Sequence, residues 1–223
     1  MKLAYWELSD VICTDNGKLN SIIIENQSFM CRFVSDIYNQ IDGNNGKIIL
    51  SMNDAPITFD KNSEIIDRFI NFDMNSKTVL SKLCSKIEDN ALSSENYQRS
   101  IEVLNTIETY LADMSFDYSC SISFLKLSLS SLIKSSGLAI ESDGSITEKI
   151  ADYMELVTEL DRRKLFITLN MRSFVGDDEM NLFSDTVISH GYDILMIESC
   201  AYPMIKNERR VIIDSDLCEI RYC

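Results

Sequence analysis

The sequence predicts an α/β protein in two parts: a discontinuous α/β domain, residues 1–72 and 164–223, interrupted by an all-helical domain, residues 73–163. Three observations predict it. Residues 164–170 and 192–197 are short apolar runs of strand formers, separated by one helix length. Strand, helix and strand at this spacing make a βαβ unit with a parallel pair. The N-terminal third is rich in β-branched runs, and residues 75–161 between the two are mostly helical in period.

Taken in order, residues 2–8 and 11–14 read as short strands followed by the turn Asp15-Asn16-Gly17. Asn20-Ser-Ile-Ile-Ile-Glu25 is a β-branched strand. From Gln27 the period changes, and Met30, Phe33, Val34, Ile37 and Ile41 share one face of a helix. Asp42-Gly-Asn-Asn-Gly46 breaks it, and residues 47–52 form another strand. Asn75 or Ser76 caps a helix with the stripe Val79, Leu80, Leu83 and Ile87. Ser94 caps the next, with Ile101, Leu104 and Leu111 on one side. A shorter helix over 128–136 ends at Gly137. Ser145-Ile-Thr-Glu148 has capping-box spacing and opens a helix with Ile146, Ile150, Tyr153, Val157 and Leu160 aligned. After the strand at 164–170, Asp177, Asp178 and Glu179 put negative charge at a helix N-terminus. Met180, Phe183 and Val187 continue that helix to a stop at His190-Gly191. A parallel pair needs cover on both faces, which the rest of the domain must supply.

Composition sets limits on function. Seven cysteines, odd in number and without CxxC spacing, read as reduced thiols in a cytoplasmic protein. The start of the chain has no signal-peptide pattern, and no apolar run reaches the roughly 20 residues of a membrane span. A net charge of −14 opposes indiscriminate binding to phosphate backbones.

Catalytic signatures are missing. Gly43-Asn-Asn-Gly46-Lys47 fails the spacing of a phosphate loop, and Ile48 stands where a Ser or Thr should meet magnesium. It reads as a polar turn. Glu198 follows an apolar strand, as the magnesium-associated acid of ATPases does, but without that loop it reads as a strand-end carboxylate. His190, the sole histidine, suits a helix C-terminus. There is no GxSxG, and the cysteines lack zinc spacing. The chain is expected to be no enzyme and to bind no nucleotide.

Several stretches together carry a family resemblance. Residues 63–83 contain the turn Asp73-Met-Asn-Ser76 leading into a helix with Leu80 and Leu83. Ile23-Ile-Glu-Asn26 precedes Phe29 and Val34, Leu132-Ile-Lys-Ser-Ser-Gly137 lies mid-chain, and the βαβ tail runs on to Arg210-Val-Ile-Ile-Asp214. In this order they resemble the small accessory adaptation proteins of type II-A CRISPR systems, the Csn2 family. The resemblance implies an ATPase-like head without nucleotide motifs and an inserted helical leg. It implies a homotetrameric ring whose positive channel encircles linear double-stranded DNA, preferring ends. It implies a role in spacer acquisition beside the CRISPR integrase complex and the RNA-guided nuclease, with no membrane partner. On this resemblance Lys77, Lys82, Lys86, Lys126, Lys134, Lys149, Arg162, Arg163 and Lys164 are candidate DNA contacts, against their reading as ordinary surface charges. Calcium is the implied cofactor, with Asp113, Asp117, Glu141 and Asp143 as candidate ligands among otherwise solvated loop acids. Two other readings stay open: a protein-protein scaffold of the adaptation complex with little DNA affinity, and a degenerate nucleotide-binding domain.

Overall fold

A computed structural model describes residues 1–14, 17–161 and 164–222. The elements are β1 (Lys2–Tyr5), β2 (Ile12–Cys13), β3 (Leu19–Ile24), α1 (Gln27–Ile41), β4 (Ile48–Met52), β5 (Ala55–Ile57), α2 (Phe59–Asn62) and β6 (Ser63–Ile66). There follow α3 (Lys77–Ala91), α4 (Tyr97–Ser115), α5 (Leu129–Ser135), α6 (Ile146–Leu160) and β7 (Leu165–Leu169). The chain continues through α7 (Asp177–His190), β8 (Asp193–Glu198), β9 (Glu208–Ile213) and β10 (Glu219–Tyr222). The fold is mixed α/β with two sheets. A small antiparallel sheet has the order β2-β1-β4-β5, and a six-stranded sheet has the order β10-β9-β3-β8-β7-β6. In the larger sheet β9, β3, β8, β7 and β6 are parallel and only β10 is antiparallel. The expected parallel pair, β7 and β8, is there in direct register, Leu165 opposite Asp193.

The parallel strands read as near-continuous apolar runs because both faces are buried. On one face Ile22, Ile24, Leu165, Ile167, Leu195, Ile197 and Val211 meet Phe29, Phe33 and Ile37 of α1, and Leu3, Tyr5, Ile48 and Leu50 of the small sheet. The alternate positions Ile23, Phe166, Ile194 and Met196 are buried on the opposite face. Helix starts follow the capping residues. Asn26 and Ser76 accept from the amides of Phe29 and Val79, and Ser145 with Glu148 closes the capping box. The start of α4 differs: its N-cap is Asn96, two residues past Ser94, and the Asn96 amide donates to the Asn90 carbonyl at 3.1 Å. His190 ends α7 and Gly191 takes the left-handed conformation, φ 68°.

The chain divides into two compact units, Met1–Phe72 with Ser142–Cys223, and Asp73–Glu141. The first is discontinuous. Its second segment begins at Ser142, earlier than the 164 read from the sequence, because α6 belongs with the sheets. Ile150, Tyr153, Met154 and Val157 of α6 are buried, Thr147 donates to Glu179 of α7 at 2.6 Å, and the Tyr153 hydroxyl donates to Glu64 of β6 at 2.8 Å. The second unit is all helical and thinly packed. Of its large apolar residues only Met74 and Val79 are fully buried, and α4 buries none of its 19 residues. No helix among the described residues is long and apolar enough to cross a membrane.

Candidate nucleic-acid interface

The place where an ATPase-like sheet holds a nucleotide is the turn from its first parallel strand into the following helix. Here that turn is two residues long, Glu25-Asn26. Asn26 Oδ1 accepts the Phe29 amide at 2.9 Å, and its Nδ2 donates to the Ser215 carbonyl at 2.9 Å. A side chain therefore occupies the helix N-terminus that would otherwise face a phosphate. The Gly43–Lys47 turn lies elsewhere, between α1 and β4. Gln40 clamps it, donating to the Ile48 carbonyl at 2.9 Å and accepting its amide at 2.8 Å. A Cβ on Gly46 would come within 2.2 Å of that Gln40 side chain, so the glycine is needed for this close approach. His190 sits at the end of α7, its Nδ1 2.9 Å from the Thr186 carbonyl and its ring stacked on Tyr192.

The candidate basic residues separate into three groups. Lys77, Lys86, Lys126 and Lys134 are exposed on the helical unit, and Lys82 is half-buried there. Lys149 lies half-buried on α6, in the first unit. Lys164 is a correction. It is buried, with Nζ 3.2 Å from Glu64 Oε2 and 3.4 Å from Asp161 Oδ2, so its charge is used within the fold. An ammonium at the mouth of a buried strand is held by carboxylates because desolvation would otherwise be too costly. Arg162 and Arg163 lie outside the described residues. Arg99, which the sequence reading did not single out, is also exposed, on α4, and lines a shallow groove with Asn90, Asn96 and Leu129. Its position in a helical, lysine-bearing region was a signal that the sequence offered.

Charge is unevenly divided. The helical unit has six basic and nine acidic residues, and the first unit fifteen and twenty-six. The acidity of the chain thus resides mainly in the sheet unit, and the helical unit is the less repulsive surface for a polyanion.

The four candidate calcium ligands are divided between the two units. Asp113 is exposed in the last turn of α4 and Asp117 lies just beyond it; Glu141 and Asp143 belong to different units. Among the described residues no group of three or more His, Cys, Asp or Glu could hold a metal ion. Calcium requires about six to eight oxygens, more than Asp113 and Asp117 supply by themselves.

Inside the first unit, Glu198 shares its buried surroundings with polar residues that sequence reasoning missed. Glu208 and Arg210 take inward positions of β9, where alternation along the strand was the available signal. Ser21 donates to Glu208, and Arg210 bonds both Glu208 oxygens at 2.8 Å. Glu198, at the end of β8, is 2% exposed, and burial pushes its carboxyl up to about 7. Burial and the nearby Glu64 carboxylate likewise raise the Tyr153 hydroxyl.

A sequence model of the family described as CRISPR-associated protein (Cas_Csn2) matches residues 40–217. The chain belongs to this family. The Csn2 match takes in the whole helical unit and four of the five parallel strands; β3 precedes it. It therefore covers the exposed lysines of the helical unit and the buried Glu198–Arg210 cluster alike. A CRISPR-associated role follows from Csn2 membership.

Proposed function

We propose that this Csn2-family chain is a non-enzymatic, sequence-independent binder of linear double-stranded DNA that assists spacer acquisition. Family membership is the observation that carries the reading. The first unit is the ATPase-like head, and the helical unit is the leg inserted into it. Four copies form a ring, and the exposed Lys77, Lys86, Lys126 and Lys134 meet phosphates in its channel, joined by Arg99. Fourfold repetition concentrates positive charge that the net charge of one chain hides. The thin packing of the helical unit supports assembly, since Tyr110, Met114, Phe116, Tyr118 and Phe124 are all more than half exposed and closed symmetry would cover them. The chain acts in the cytoplasm beside the integrase complex and the RNA-guided nuclease. The occupied N-terminus of α1 supports the absence of nucleotide chemistry.

The experiment compares linear and closed circular duplexes of one sequence in mobility shift, at 50 and 200 mM salt. A closed ring threads only onto an end, so linear DNA should bind and circles much less. The affinity should fall steeply with salt because phosphate contacts release counterions. Native mass spectrometry should give a tetramer. The −14 charge favours the scaffold reading instead, and absence of any shift on linear DNA at low salt would select it.

A further inference from the structure

Two of the buried polar atoms without a partner among the described residues are Arg172 Nε and Glu198 Oε2. Arg172 contacts the segment 199–207, which leads from β8 to β9, and Glu198 immediately precedes it. Glu198 Oε1 accepts the backbone amide of Arg172 at 3.2 Å, the Met171 amide also favours the ionised carboxyl, and Oε2 has no hydrogen-bond partner among the described residues. Thr168 Oγ1, also buried and unpartnered, is on the same sheet face of the adjacent strand, since Thr168 pairs with Met196.

The segment is held from beneath by two buried arginines. Arg210 donates to the Tyr202 carbonyl at 2.7 Å and is neutralised by Glu208, which also accepts the Ile205 amide at 3.0 Å. Its charge is fully matched. Arg172 is 4% exposed, donates Nη2 to Asp177 at 2.5 Å and to the Pro203 carbonyl at 3.2 Å, and lies over the Tyr202 ring. Its Nε remains open. The charged or titratable groups that act on Glu198 include Arg172 from the turn after β7 and Glu208 from β9, and Tyr202 of the segment feels both Glu198 and Cys200. Asp177 at the start of α7 competes for the same guanidinium.

We propose that Glu198 is a proton-operated latch for residues 199–207. With its proton, Glu198 leaves Arg172 on Asp177 and Pro203, and the segment stays down. Once ionised, the carboxylate draws the open Nε of Arg172 toward itself and removes the shorter of the two bonds on the Pro203 carbonyl, leaving the one from Arg210 Nη2 at 3.4 Å. Burial sets the working range: the carboxyl rises from its ordinary 4.5 to about 7 in the folded protein. A raised acid gives stability that is complete below about 4.5 and lost as pH rises through about 7. The opening constant of the segment should climb by up to about tenfold per pH unit between those values and level off above them. The latch stands whether or not the chain binds DNA.

The test is amide hydrogen exchange of residues 199–207 at several pH values, corrected for intrinsic rates, on the intact protein. It is paired with a carbon-13 NMR titration of the Glu198 carboxyl. The expected results are a carboxyl midpoint near 7, at least about tenfold greater opening at pH 8 than at pH 5, and a flat, protected profile for Glu198→Gln. A carboxyl midpoint below 5.5, a pH-independent opening constant in the unaltered protein, or an undiminished slope in Glu198→Gln overturns the latch. Should that variant fail to fold, the unaltered protein's titration and exchange profile still decide.

Discussion

Lys164→Met separates a structural lysine from a DNA contact. The Lys164 ammonium bridges Glu64 on β6 and Asp161 after α6, at 3.2 and 3.4 Å. Its side chain is 8% exposed and those of its partners 29% and 28%. Removing one member of a fully buried pair costs about 3–5 kcal/mol, and of an exposed pair about 0–1 kcal/mol. Partners a quarter exposed can recover water, and Glu64 keeps the Tyr153 hydroxyl at 2.8 Å. An intermediate loss of about 2 kcal/mol follows. For a chain of this size it lowers Tm by about 4–8 °C. Thermal unfolding by circular dichroism reads that shift, and a DNA titration at two salt concentrations should superimpose on that of the unaltered protein. If Lys164→Met melts normally and yet binds DNA more weakly, with a salt slope reduced by about one, the lysine faces phosphate and its burial has been misread.

Replacing Lys86, Lys126 and Lys134 together by Glu should abolish the mobility shift of linear DNA while native mass spectrometry still gives the parent oligomer; a folded variant that binds normally removes these residues from the interface. Phe33 is fully buried against Tyr5 at 4.9 Å between ring centres, and Phe33→Ala should cost about 3–5 kcal/mol, read by urea unfolding. Magnesium-ATP at millimolar concentration should leave Tm unchanged, because Asn26 caps the helix end that would face the phosphates; a saturable rise would contradict that.

The sequence by itself determined much of the local structure. Capping chemistry acts within four residues, so Asn26, Ser76, the Ser145–Glu148 box and Gly191 mark helix ends without any tertiary input. The runs at β3, β7 and β8 are apolar throughout, as strands buried on both faces must be, and the joint order of several weak motifs pointed to the Csn2 family. Tertiary structure decided the rest. Ser63-Glu-Ile-Ile66 is too short for a period to show and becomes a strand only because β7 offers it a ladder. An amphipathic stripe states that a helix needs cover but not which surface gives it, so α6 joins the sheet unit although its pattern matches the helices of the second unit. The same limit applies to charge. Lys164 and Lys126 are identical in sequence terms, and only packing places one between two carboxylates and the other in water. Glu198 is a strand-end acid to the eye, and its shifted carboxyl and open oxygen exist because the fold buries it against the Arg172 backbone, 26 residues earlier in the chain.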